Sequence, residues 1–429
     1  MYRPLLAIPV FLFAASVAHG QGATAPDQTE QIKALVERVE LLEKQVAELK
    51  ADRVTALSSP VTAVPAPGNL APEGQPLAKP AVQVHEHESQ IPQETARQLE
   101  THYPSLQIRG FGDADFASTD QKGTNSGFYL GQLDLHIASA LSSKISYFAE
   151  ITLNAHPNEY TIEVERSIIR YDYDDFFKLS FGRFHTPIGY WNTAFHHGAW
   201  LETTVDRPFM VKVGGTFTPL HLVGALAEGH IPSGGLGLQY NVGIGNGRGE
   251  LIGRPGDSGD NNNNRAWVVK VFSRPAKAYG LEVGGSVYRD KITLPTGPEY
   301  REWITSAYLT WTKGAPEFLA EFDNVNHRNI LTNANANSDA FYAQFAYRLP
   351  WFEKSWKPYY RFEYTHMPLS EQVFTYQPQE ESIVGIRYDI SNFTCFKLEY
   401  RFLNSQPPRP GHPFEPAVNG VFFQTAFTF

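Results

Sequence analysis

One cysteine, Cys395, stands in a chain of 429 residues. A lone thiol cannot close an internal bridge, so no disulfide framework holds the fold. Nor is there a run of about 20 apolar residues, the length a transmembrane helix needs. The nearest approach, residues 5–18 behind Arg3, is too short and lies at the very start. Basic residues are outnumbered, 36 Lys and Arg against 45 Asp and Glu, for a formal net charge of -9. Nucleic acid binding needs a basic surface that this composition does not supply, so DNA and RNA are excluded as partners. Catalytic signatures are missing too: no G-x-S-x-G, H-E-x-x-H or P-loop occurs. The alternating glycines Gly243, Gly245, Gly247 and Gly249 end a strand pattern at a loop rather than opening a helix. The expectation is a protein that is no enzyme, with no cofactor and no metal.

The short apolar run is followed by Ala18-His19-Gly20, with small residues at the two positions a signal peptidase reads. Residues 1–20 therefore read as a secretory signal, and the mature chain starts near Gln21. Next, Ile32, Leu35, Val39, Leu42, Val46 and Leu49 alternate spacings of three and four, the heptad seam of a coiled coil, within a helix expected over 28–57. Arg38 and Glu43 would attract across a parallel interface, while Val36 widens the apolar stripe, so the number of strands in the coil stays open. Residues 58–104 are rich in Pro, Ala, Gly and Gln without a hydrophobic period and read as a linker, in which His85 and His87 are solvated rather than metal-bound.

Over 105–429 the pattern changes to period-two alternation. In the closing segment Val421, Phe423, Thr425, Phe427 and Phe429 share one face, opposite Phe422, Gln424, Ala426 and Thr428. The same rule sends Phe396, Leu398, Tyr400 and Phe402 one way and Lys397, Glu399 and Arg401 the other. Likewise Phe341, Ala343, Phe345 and Tyr347 oppose Tyr342, Gln344 and Arg348. A soluble β-sandwich would fill the charged face, whereas a water-filled lumen accommodates it. Strands are predicted over 106–117, 128–140, 144–154, 161–173, 176–184, 216–228, 235–248 and 264–274. The others fall over 279–290, 301–313, 315–326, 339–349, 357–367, 380–390, 394–403 and 417–429. That makes about sixteen, the even number expected of an all-β transmembrane antiparallel barrel.

The connections check the count, since such barrels join strands by short periplasmic turns and longer external loops. With the first strand leaving the periplasm, the turns at 174–175, 275–278, 314 and 391–393 are short. The external connections 118–127, 185–215, 249–263, 327–338, 368–379 and 404–416 are long. Trp303 and Trp311, eight residues apart on one face, lie about 26 Å apart along a strand, or about 20 Å after tilt. This is close to the apolar band of about 25 Å, so the two indoles can mark its two aromatic girdles.

The segment Val421-Phe-Phe-Gln-Thr-Ala-Phe-Thr-Phe429, with its C-terminal Phe, resembles the recognition signal of barrels inserted by the outer-membrane assembly machinery. The stretch Phe181-Gly-Arg-Phe-His-Thr-Pro-Ile-Gly-Tyr-Trp-Asn-Thr-Ala-Phe-His-His-Gly198 and the later Asp206-Arg-Pro208 resemble the phosphate-selective porin O and P-like superfamily. The coiled coil ahead of the barrel is similar to the arms of some trimeric dicarboxylate porins. The resemblance implies a homotrimer in outer-membrane lipid, its N-terminal arm in the periplasm, allowing passive diffusion of small hydrophilic solutes, anions among them. It also implies that 185–215 folds inward as a constriction loop bearing His185, His196, His197, Glu202, Asp206, Arg207 and Lys212. Opposing charges there would select solutes by charge and dipole, and the histidines would add positive charge near pH 5.

On the lumen wall the expected residues are Lys178, Arg361, Glu363, Arg387, Lys397, Glu399 and Arg401. Arg361, Arg387 and Lys397 on three consecutive strands could form a basic row near their periplasmic ends, or pair with Glu363, Asp389 and Glu399 in salt bridges that stiffen the wall. Two other readings stand beside the channel. One is an envelope tether with a plugged barrel, the other a barrel lipid hydrolase using His196 or His197 with a serine.

Overall fold

The structure, a computed structural model, describes residues 103–429 apart from 157, 196–197, 213–216, 250, 255, 258, 314, 352, 354, 375–377 and 407–413. The expected signal peptide, the coiled-coil helix and the linker up to residue 102 lie outside the described residues.

Sixteen antiparallel strands close into one barrel. The first four are β1 (Ser105–Thr119), β2 (Gly127–Ala140), β3 (Ile145–His156) and β4 (Glu159–Asp172). Next come β5 (Lys178–His185), β6 (His221–His230), β7 (Leu238–Asn246) and β8 (Ala266–Ser273). They continue with β9 (Leu281–Thr293), β10 (Glu299–Trp311), β11 (Glu317–Asn329) and β12 (Asn335–Ala346). The last are β13 (Trp356–His366), β14 (Gln379–Ser391), β15 (Thr394–Leu403) and β16 (Val418–Thr428). Every strand pairs with its sequence neighbours, and β16 returns to β1. Full closure removes the sheet edges, whose unpaired amides lipid could not satisfy. No helix among the described residues is long and apolar enough to cross a membrane.

The alternation is realised as expected. On β15 the outward Leu398 and Tyr400 are 48% and 50% exposed while the inward Lys397 and Glu399 are buried. Trp303 and Trp311 both face out. The C-terminus closes the seam, because Gly110 donates to the Phe429 carbonyl and Phe429 donates back to Gly110, both at 3.0 Å. A methyl at Gly110 would sit inside the Phe429 ring, and one at Gly112 would strike Phe427, so two glycines on β1 leave room for the two closing rings.

Two departures from the expected strand limits are the largest. The sixth strand starts at His221 rather than 216, because Phe217 and Thr218 turn into the lumen. The external connection expected over 327–338 shrinks to 330–334. There β11 and β12 run on, joined outside by Asn326, whose amide donates to Asn335 and Asn337.

The barrel is not an empty tube. An apolar cluster that includes Trp191, Phe217, Tyr288, Ile304, Tyr342 and Phe374 is buried inside it. Three connections at the external end supply its inner half: L3 (186–220), L4 (247–265) and L7 (367–378).

Candidate pore constriction

L3 leaves β5 and turns across the lumen at Gly189, whose φ of +62° and contact with Glu321 exclude a side chain. The Glu321 carboxylate accepts the backbone N–H groups of Tyr190 and Trp191, each at 3.1 Å. These open a short helix, α1 (Trp191–Ala194), and Trp191 packs edge-on against Tyr342. Asn192 ties the two ends of the loop together by donating to the carbonyls of Thr186 and Leu220. On the return, Thr218 donates to Asp323, and Phe217 stacks on Phe374 of L7. From L4, Arg248 donates to the Phe217 carbonyl while paired with Glu302. His327 bridges Glu302 to Glu371 of L7. Three loops are thereby fastened to one wall, β10 to β12.

The middle of L3 lies against β13 to β16, held by the inward cations. Arg387 donates to the carbonyls of Trp200 and Glu202, and Lys397 to those of Ala199 and Thr204. Arg361 reaches Thr204 Oγ1 and the Asp206 carbonyl, both at 2.7 Å. In return Glu399 accepts from Val205 N–H and Glu363 from Phe209 N–H. The salt-bridge alternative holds for Arg361–Glu363 and Arg387–Asp389, whereas Glu399 pairs with Arg401 rather than with Lys397. The proposed row needs correcting at one position. Lys357, not Arg361, is in register with Arg387 and Lys397, while Arg361 sits four residues further up β13 at the level of Arg401. Lys357 binds Thr203 and Glu317.

Of the expected loop residues, Glu202, Asp206, Arg207 and Lys212 come together at one external hollow, facing Asp113 and Asp115 of β1. Burial pushes the Glu202 carboxyl up to about 7, against the pull of Arg207 and Lys397. His185 is corrected to the end of β5, on the wall rather than in the loop. His196 and His197 lie outside the described residues. Lys178 is buried on β5 in register with Glu228.

The wall from β2 to β6 carries a network that the sequence reading missed. Glu150 on β3 bonds His136 at 2.8 Å and Arg166 at 2.6 Å, with His185 at 3.4 Å. Glu165, at a bulge on β4, takes His221 at 2.9 Å and Arg183 at 3.7 Å. The His185 and His221 rings lie 5.4 Å apart and join the two halves. A second external hollow reaches this network through Arg183 and His221, and a hollow on the periplasmic side reaches it through Arg166 and His185. The network therefore stands between the two sides. Its two acids are 0% and 2% exposed and the His185 and His221 rings are buried with them, whereas Arg166 and Arg183 keep 14% and 15% of their side chains open. Period two alone marks His136 and Glu150 as inward, but nothing local pairs them with residues of β5 and β6.

No family model matches the chain. No curated protein matches it either. Among solved structures it resembles the anion-selective porin from Comamonas acidovorans, with a TM-score of 0.54 and 12% identity over 76% of this chain and 100% of that one. It also resembles the outer membrane channel DcaP of Acinetobacter baumannii, with a TM-score of 0.53 and 10% identity over 76% of this chain and 97% of that one. OmpT of Vibrio cholerae gives 0.51 and 11% over 77% and 99%. At these identities the likeness is one of fold: the chain has the sixteen-stranded barrel of outer-membrane porins.

Proposed function

We propose that this protein is an outer-membrane channel for passive diffusion of small hydrophilic solutes. The solute passes between L3 and the β2 to β6 wall. The observation that carries the reading is a long loop held inside the barrel by cations of both sheet halves, leaving charged hollows above and below the network centred on Glu150 and Glu165. In a narrow, low-dielectric passage such fixed charges act strongly on a permeating ion. Arg166 and Arg183 are more open than the buried Glu150 and Glu165, although Arg183 also meets the exposed Asp257, and this supports a modest preference for anions. One structural neighbour is described as anion-selective, which agrees with this preference. The outer-membrane lipid, a homotrimeric assembly, insertion by the barrel assembly machinery, an exported N-terminus and a periplasmic coiled-coil arm belong to the same reading.

The test is planar-bilayer recording of the native chain and of a chain lacking 199–212. A channel narrowed by L3 gives open steps of fixed size that grow severalfold on deletion. A plugged tether gives no steps in the native chain, and a loop resting on the rim gives unchanged ones; either result refutes the reading. Conversion of Arg166 and Arg183 to Gln should move the reversal potential in a salt gradient toward cations.

A further inference from the structure

The outer surface of the barrel carries a feature that diffusion does not use. At the external ends of β9, β10 and β11, Lys291, Arg301 and Arg328 stand in one row, because Arg301 is in register with Lys291 on one side and Arg328 on the other. Their inward neighbours Ile292, Tyr300, Glu302 and His327 are buried, so all three cations point away from the lumen. Arg289 lies beside Trp303, with its guanidinium 5.8 Å from the ring. Trp267 packs edge-on against the same indole at 5.5 Å.

The height of this row is set by Trp303. As an outward indole it marks the upper edge of the apolar band, and Arg301, two residues before it on the same face, lies about 7 Å further out. The cations thus sit where acyl chains give way to headgroups. Like charges directly opposite on neighbouring strands repel, yet the row has little internal compensation. Glu299 takes Lys291 at 2.7 Å, and Arg328 donates to the neutral Asn333. The next outward carboxylate, Asp339, accepts from Asn324. Arg289 and Arg301 have no ion pair among the described residues.

We propose that Lys291, Arg301 and Arg328, with Arg289, form a binding site for the phosphorylated headgroup of an outer-leaflet glycolipid. Guanidinium groups bind phosphate oxygens through two parallel N–H donors, and stems about 5 Å apart across the sheet offer several such forks to one headgroup. The apolar surface below, with Trp267, Trp303 and Leu309, would receive the acyl chains. The inference goes beyond the channel reading and requires only that the barrel lie in the membrane with its long loops outward.

The full chain is placed in phosphatidylcholine nanodiscs containing lipid A or its dephosphorylated glycolipid, and retained lipid is counted by native mass spectrometry. Native protein should retain lipid A about tenfold over the dephosphorylated form, since the phosphate supplies the charge-assisted bonds. Lys291→Gln with Arg301→Gln and Arg328→Gln should abolish that preference, Arg301→Lys should keep most of it, and Lys144→Gln with Lys313→Gln at the periplasmic end should not change it. Unchanged channel conductance certifies folding, and if the triple variant fails that check the exposed Arg301→Gln is read instead. Equal retention of the two glycolipids, or a preference that survives in the variants, overturns the site. Displacement of lipid A by inorganic phosphate at matched concentration would assign the row to free phosphate and overturn the lipid.

Discussion

Arg361 shows how a lumen residue serves two structures at once. Its buried guanidinium pairs with Glu363 on its own strand and holds Thr204 and Asp206 of L3. Arg361→Met leaves Glu363 and two loop acceptors without their cation, which should cost about 3 kcal/mol. Urea unfolding in detergent would measure it, and Arg361→Met combined with Glu363→Gln should recover part of the loss. Glu202 gives a second expectation. With its carboxyl raised to about 7 by burial, it carries a charge at about pH 8.5 and is neutral at about pH 5.5. Acidification then removes a negative charge from L3 and shifts selectivity toward anions. Reversal potentials should show the native shift exceeding that of Glu202→Gln; equal shifts would place Glu202 away from the solute path. The inward position of Arg361, Arg387 and Lys397 was legible in period two. Their task was not, since they bind backbone carbonyls of a loop more than 150 residues away in sequence.

At the level of elements, alternation and loop lengths specify strands well because each strand is read by its own side chains against lipid and lumen. L3 obeys no such local rule. Its path depends on a turn that only glycine permits at position 189 and on Glu321, which lies on a strand far along the chain. Gly189→Ala would force a methyl onto Glu321 in a left-handed backbone, a cost of about 1–3 kcal/mol. The two N–H groups it caps would be released, and single-channel traces should flicker between sub-states that the native chain lacks. The β1–β16 seam is similarly specific. If Phe429 serves as a ring that covers Gly110, then Gly110→Val and Phe429→Ser should lower folded barrel in the outer membrane to a comparable extent. A loss confined to Phe429→Ser would mean the residue is read only as a terminal signal.

For the whole molecule, the outer face is apolar around much of its circumference, with Phe128, Leu130, Ile162 and Phe181 on β2 to β5 more than half exposed. Lipid can cover that face, but so can a neighbouring barrel, and burial in a well-packed contact adds dispersion that fluid acyl chains match poorly. The cation row on β9 to β11 lies on different strands from these four residues, so the two surfaces need not compete. A trimer would place β2 to β5 at the contact and leave the row in lipid. The expected coiled coil of 28–57 would then act as a second tie, since three heptads alone are marginal but gain from the high effective concentration that joined barrels provide. Removal of residues 21–104 should therefore leave each barrel folded and conducting while lowering the temperature at which a detergent-resistant oligomer dissociates to monomers. Phe128→Gln with Phe181→Gln should lower it further, and adding both changes to the truncated chain should yield monomers that still conduct. A native chain that migrates only at monomer mass before heating would refute the assembly, without touching the channel or the lipid site.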